Sequence, residues 1–198
     1  DALASRLATW DAAEGPPFVA LMLANNETGV IQPVAEAAVL VREAGGWLHV
    51  DAVQAVGRVA IDSRALGADT LALSSHKLGG PGGAGALTFG PRAKLVRRLH
   101  GGGQERGRRA GTENVAGLAG FGAAAEAALR DLEAAAAQAE WRDAAEAALV
   151  AAGAVSVGGQ APRLPNTLCV AAPGFPAELQ VMTLDLAGIM VSAGSACS

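Results

Sequence analysis

The sequence predicts an α/β domain built on a largely parallel sheet, and three observations carry that prediction. Residues 18–23, Phe-Val-Ala-Leu-Met-Leu, form a continuous apolar run of strand length, the pattern of a strand buried on both faces. Strand-like and helix-like segments then alternate as far as residue 89, which joins successive strands in parallel through crossover segments. Polar groups follow three of the strands: Asn26, Asp51 and the run Ser74-Ser75-His76-Lys77. They fall at the carboxyl edge, where open α/β sheets place their ligands.

The elements follow in order. Residues 1–9 read as a helix with Leu3 and Leu7 on one face. After the strand at 18–23, Asn25-Asn26-Glu27-Thr28-Gly29 is a turn signal, since Asn and Gly tolerate the backbone angles that turns need. Pro33 opens a helix with Val34, Ala38 and Val41 on one face, and Gly45 stops it, the usual proline-first, glycine-last asymmetry. Residues 47–50 are the next strand, closed by Asp51. A short helix is expected at 63–66, a strand at 70–73 leading into Ser74, and another strand at 84–89. A polar, glycine-rich loop spans 100–112, and an Ala-rich helical stretch runs from Val115 to about Ala152 with a break near Asp131. Strands at 155–157 and 166–171, a helix at 176–186 and a strand at 189–191 then suggest a second, smaller α+β unit. The division is placed at 1–130 and 131–198.

Composition narrows the function classes. The chain has 198 residues, 51% of them hydrophobic and 17% charged, enough for a sizeable packed core. A net charge of −4 argues against nucleic acid as the partner. The local cluster Arg106, Arg108, Arg109 is suited to a phosphate, a carboxylate, a neighbouring subunit or plain solvent. No apolar run reaches the ~20 residues of a membrane helix. The opening Asp1-Ala2-Leu3-Ala4-Ser5-Arg6 has no secretory pattern, and two cysteines make no disulfide scaffold; both point to a reducing, cytoplasmic setting. Three His and two Cys are scattered without metal-ligand spacing, so no metal site is expected.

The candidate chemistry centres on Lys77. A lysine at the end of a buried strand is open to desolvation, which frees its amine as a nucleophile toward an aldehyde. Pyridoxal 5′-phosphate (PLP) is the usual biological partner for that reaction. Ser74, Ser75 and His76 suit its phosphate. On these residues alone, a surface lysine before a glycine turn is the simpler reading, and Asp51 and Gln54 read equally as a strand-end cap and a turn residue. The stretch 80–85 formally fits G-x-G-x-x-G, but a strand follows it rather than a helix, which rules out the dinucleotide fingerprint.

Five motifs stand in one order: NNETG at 25–29, HVDAVQAVG at 49–57, SSHKLGGPGGAGAL at 74–87, GGGQERGRRAGTENV at 101–115 and VSAGSAC at 191–197. Together they closely resemble the cysteine desulfurases of the NifS/IscS type, within the class V aminotransferases. The resemblance covers essentially the whole chain and implies the PLP-dependent transferase fold type I. In that fold a mostly parallel sheet forms the large domain, with part of a smaller α+β domain after it.

Carried over residue by residue, the resemblance implies that Lys77 forms the Schiff base with PLP and that Asp51 faces the pyridine nitrogen. Gln54 bonds the ring's phenolic oxygen, and Asn26 lies near that oxygen and the substrate carboxylate. Ser74, Ser75 and His76 resemble the phosphate-binding trio, and Thr112 a phosphate contact lent across a homodimer interface. His49 shares a strand face with Asp51 and reads as structural. Cys197 resembles the cysteine nucleophile of a mobile loop. It takes sulfur from L-cysteine as a persulfide, leaves L-alanine, and serves iron–sulfur scaffold proteins or other sulfur acceptors. Cys169, in an apolar strand, reads as a small buried hydrophobe.

The resemblance also departs from the family. The glycine/alanine/threonine phosphate loop and the ring-stacking histidine are missing upstream, and the substrate-gripping arginine is missing downstream. The chain therefore reads as the centre of a desulfurase cut at both ends, with uncovered sheet edges that invite association and with activity of the piece alone in doubt. Alternatives are a selenocysteine lyase, an aminotransferase, which would not need Cys197, and an inactive binding fragment.

Overall fold

The computed structural model describes residues 2–194. Cys197 lies outside the described residues. The described chain forms two compact units, one of residues 2–23 and 33–132 and the other of residues 24–32 and 133–194. The short segment 24–32 thus belongs with the second unit although it lies between two pieces of the first.

The first unit holds a four-stranded sheet in the order β1-β2-β3-β4. Helix α1 (Ala2–Ala8) precedes β1 (Phe18–Met22); α2 (Val34–Glu43) connects β1 to β2 (Trp47–Asp51). The strands β1, β2 and β3 (Thr70–Ser74) run parallel. β4 (Gly85–Phe89) returns antiparallel to β3, with Ser74 opposite Gly85 and Thr70 opposite Phe89. α2 packs on β2 through Val34, Ala37, Ala38 and Val41, all buried, while Leu48 and Val50 form the buried face of β2. The spacing 34, 37, 38, 41 is the stripe that helical periodicity demands. Pro33 occupies the cap position of α2, and Gly45 turns the chain left-handed after it at φ 70°.

Three expectations are corrected. β1 is an edge strand, and Phe18 is 67% exposed; an apolar run states that a strand needs cover, not that cover is present. Residues 63–67 form a hydrogen-bonded turn rather than a helix: Asp62 Oδ1 accepts from the N–H groups of Arg64 and Ala65, and Gly67 at φ 67° ends the coil after that turn. Residues 189–191 pair with no strand among the described residues and are irregular.

Past the sheet, α3 (Gln104–Gly107) is a single turn that contains Glu105 and Arg106 in the left-handed region, at φ 51° and 56°. α4 (Val115–Arg130) is capped by Asn114, whose side chain accepts from the Gly117 N–H. Asp131 breaks the helix before α5 (Leu132–Ala151).

In the second unit, β5 (Val155–Ser156) pairs antiparallel with β6 (Val170–Ala171), and α6 (Ala177–Leu186) follows. Glu146 on α5 binds both Arg163 and Ser156, and Arg142 donates to the Leu164 carbonyl at 2.7 Å. Among the described residues no helix is long and apolar enough to cross a membrane.

Candidate active site

The carboxyl ends of β2 and β3 set the geometry. Asp51 stands in register with Ala72, and the Ala52 N–H donates to the Ala72 carbonyl at 3.1 Å. Asp51 therefore ends its strand beside the residues that carry β3 into Ser74. Its Oδ1 accepts from the Val53 N–H at 2.9 Å, the local bond that lets a short acidic side chain start a turn. The half-buried His49 shares Asp51's face of β2, and its Nδ1 lies 2.8 Å from Thr70 Oγ1. That bond joins two residues in register, so the structural role expected of His49 has a partner.

β3 runs directly into a 3-10 turn, Ser75–Leu78, that presents Lys77. Gly79 closes the turn at φ 82°, in the left-handed region that favours glycine. The Ser75 N–H donates to Ala84 and the Gly80 N–H to Ser75, at 3.0 and 3.1 Å. Gly80 is required for space: a Cβ there would sit 2.3 Å from Ser75 Oγ and 3.0 Å from Ala124 Cβ of α4. α4 thus backs the lysine turn at close range.

Ser74 Oγ and His76 Nδ1 are hydrogen-bonded at 2.7 Å, so the strand end and the turn bring these two donors together beside the half-buried Lys77. Ser75 is set apart from them. It is fully buried, and its hydroxyl has no partner among the described residues. Its Oγ lies instead toward Gly80. Gln54 is half-buried in the turn after β2. Thr112 is exposed on the loop before α4, and no hydrogen bond joins it to the Ser74–His76 pair. Asn26 belongs to the second unit, in a turn organised by Asn25 Oδ1, which accepts from the Glu27 and Thr28 N–H groups at 2.9 and 2.8 Å. Cys169, also in the second unit, is a free, half-buried thiol.

One residue escaped the sequence reading. Arg58 Nη1 donates to the Gln54 carbonyl at 3.1 Å and reaches the Lys77 carbonyl at 3.5 Å. Burial pushes its pKa below the usual arginine value. Arg58 lies one residue past the motif at 49–57, and its partners are backbone carbonyls, so that motif carried no signal for it.

Residues 4–198 match the model of the aminotransferase class-V family. The chain belongs to that family. It is 43% identical over 188 residues to a cysteine desulfurase of Enterobacter agglomerans, a match covering 94% of this chain and 47% of that protein. It is 47% identical over 183 residues to a cysteine desulfurase of Cereibacter sphaeroides, covering 91% and 47%. The X-ray structure of a NifS-like protein from Rickettsia africae ESF-5 superposes with a TM-score of 0.87 at 32% identity, over 98% of this chain and 54% of that one. The α/β, fold-type-I architecture expected from the motifs is therefore the fold of this chain. The chain spans about half the length of the curated relatives it matches.

Proposed function

We propose that the chain carries the lysine and cysteine machinery of a PLP-dependent cysteine desulfurase, which converts L-cysteine to L-alanine and holds the sulfur as a persulfide on Cys197. The observation that carries this reading is the placement of Asp51 and Lys77 at the carboxyl ends of adjacent parallel strands, in a chain similar to cysteine desulfurases over nine-tenths of its length.

The donor set fits the cofactor. A hydroxyl and an imidazole joined at 2.7 Å next to Lys77 suit phosphate oxygens, which take charge-assisted hydrogen bonds. A carboxylate at the neighbouring strand end suits a protonated ring nitrogen. Ser74, His76 and Lys77 would hold the group, and Asp51 and Gln54 would face its ring; Ser75, fully buried, is left out of the phosphate set. When bound, PLP supplies an electron sink for the substrate's α-carbon.

The chain's own residues do the rest. Lys77 Nζ anchors the cofactor, and Asp51 holds a proton at the ring nitrogen. Asn26 orients the substrate carboxylate. The Cys197 thiolate, the reactive form of the residue, attacks the sulfur of the bound cysteine. An S–S bond forms as the C–S bond breaks, and the electron pair left on carbon takes a proton to give alanine. The persulfide sulfur then passes to an acceptor such as an iron–sulfur scaffold protein. The enzyme works as a cytoplasmic homodimer; the exposure of Thr112 supports its being lent to a second subunit.

The test is visible absorption of the purified chain with added PLP, followed by product analysis with L-cysteine. A Schiff-base band lost in Lys77→Ala, with alanine and persulfide lost in Cys197→Ala, is the expected result. A band that survives Lys77→Ala overturns the anchor. Alanine production that survives Cys197→Ala overturns the persulfide step, and a keto acid in place of alanine identifies an aminotransferase.

A further inference from the structure

Arg58 is a half-buried cation next to the lysine turn, and the steps above give it no task. Among the described residues no carboxylate pairs with it. A guanidinium withdrawn from water without a counter-charge is costly, and here it is satisfied by backbone oxygens. Nη1 donates to the Gln54 carbonyl at 3.1 Å and reaches the Lys77 carbonyl at 3.5 Å. These carbonyls lie in two separate turns, one after β2 and one after β3.

The same two turns meet again one residue along. Gly57, at φ 77°, approaches so closely that a Cβ on it would sit 2.8 Å from Leu78 Cδ2. Gly57–Arg58 therefore abuts Lys77–Leu78 twice, once by packing and once by hydrogen bonding. The Gln54 turn is itself anchored on β2 and β3, since Ala52 donates to Ala72 while Ala55 and Val56 donate to Ala52, at 3.0–3.1 Å. Arg58 links it to the lysine turn through a side-chain charge.

We propose that Arg58 is a positioning residue that ties the Gln54 turn to the Lys77 backbone and so sets the distance between the side chain facing the cofactor's ring oxygen and the lysine that anchors it. The inference rests on the assignment of Lys77 and Gln54 made above. Arg58 acts through the two carbonyls.

The experiment has two arms, so that failure of the tie and failure of the assignment read differently. The first is hydrogen exchange on the chain without PLP. Arg58→Met should speed exchange roughly tenfold at the amides of Val56, Val59 and Gly80, the size of effect expected for one lost charge-assisted hydrogen bond, while Asp69 at the far end of the sheet is unchanged. Arg58→Lys, which keeps one donor, should fall between, and it serves as the sole variant if Arg58→Met does not fold.

The second arm is PLP uptake followed by absorption. Arg58→Met should weaken uptake about tenfold and move the Schiff-base band in the same direction as Gln54→Leu. Added to Gln54→Leu, it should move the band no further. Unchanged exchange together with an unmoved band in Arg58→Met overturns the proposal. If Lys77→Ala retains the band, the assignment fails and with it the cofactor half of the proposal, while exchange still decides whether Arg58 ties the turns.

Discussion

Asp69 accepts a hydrogen bond from the Leu48 N–H through its Oδ2 at 2.9 Å, and its own N–H donates back to the Leu48 carbonyl at 2.9 Å. The carboxylate is only 6% exposed, and Arg92 Nε faces it at 3.5 Å. Arg92 is itself held by the Gly46 carbonyl at 2.7 Å and lies over the Trp47 ring. The start of β3 is thus clasped to β2 at the end opposite Lys77. Asp69→Ala leaves a buried N–H without its acceptor and should cost about 2–3 kcal/mol. Asp69→Asn keeps an acceptor and should cost about half as much. Urea unfolding at neutral pH measures both, and an Asp69→Ala variant as stable as the wild type would show that the clasp is idle.

Gly80 and Ser75 form a coupled pair. Gly80→Ala puts a methyl 2.3 Å from Ser75 Oγ and should destabilise the chain by about 1–3 kcal/mol through overpacking. Ser75→Ala removes a buried hydroxyl that has no partner among the described residues, so alone it should be neutral or slightly stabilising. Combined, the two should cost less than Gly80→Ala alone. Rescue is partial because Ala124 Cβ at 3.0 Å and the Ser75 carbonyl at 3.2 Å still crowd the new methyl. Strictly additive effects would mean that the two side chains do not meet.

Local chemistry made the sheet legible: apolar runs, Pro33 and Gly45 around α2, and polar residues at strand ends. What stayed hidden is non-local or directional. The segment 24–32 joins the second unit because the Leu164 N–H donates to Gly29 and the Ile31 N–H to Pro162, both at 2.8 Å; nothing near residue 30 announces partners so far along the chain. The motif at 74–77 names four residues but not which way each points, and Ser75 turns inward while Ser74 and His76 bond to each other. Arg58 bonds to carbonyls, which every residue possesses, so its partners leave no mark on the sequence. β1 was misjudged because hydrophobicity records a demand for burial, and Phe18 sits on an edge strand.

Acid stability should depend on Glu146. Hydrogen bonds from Arg163 and then Ser156 hold its carboxyl below the usual carboxylate range, and Arg163 is only 6% exposed. Because the folded-state pKa lies below that of the unfolded chain, this group stabilises the fold above the unfolded value of about 4.3. That contribution is lost as pH falls through the folded pKa. The wild type's lead over Glu146→Gln in urea midpoint should therefore hold at pH 7 and shrink below about pH 4. A lead that stays constant down to pH 3 would assign the acid limb to other carboxylates.

Asp51 has two separable tasks, and two substitutions divide them. Its Oδ1 caps the Val53 N–H at 2.9 Å, a local bond worth about 1 kcal/mol. Its charge is the feature suited to a protonated ring nitrogen. Asp51→Asn retains an oxygen for the cap but carries no charge, so its thermal midpoint should stay near that of the wild type. Asp51→Ala loses both and should melt lower. Both should still take up PLP through Ser74, His76 and Lys77, because none of those side chains changes. Both should produce alanine from cysteine at least about tenfold more slowly, a loss of roughly 1.4 kcal/mol of transition-state stabilisation, because only a carboxylate keeps the ring nitrogen protonated. If Asp51→Asn made alanine at the wild-type rate, Asp51 would be a strand-end cap and nothing more, and the ring nitrogen would need another partner.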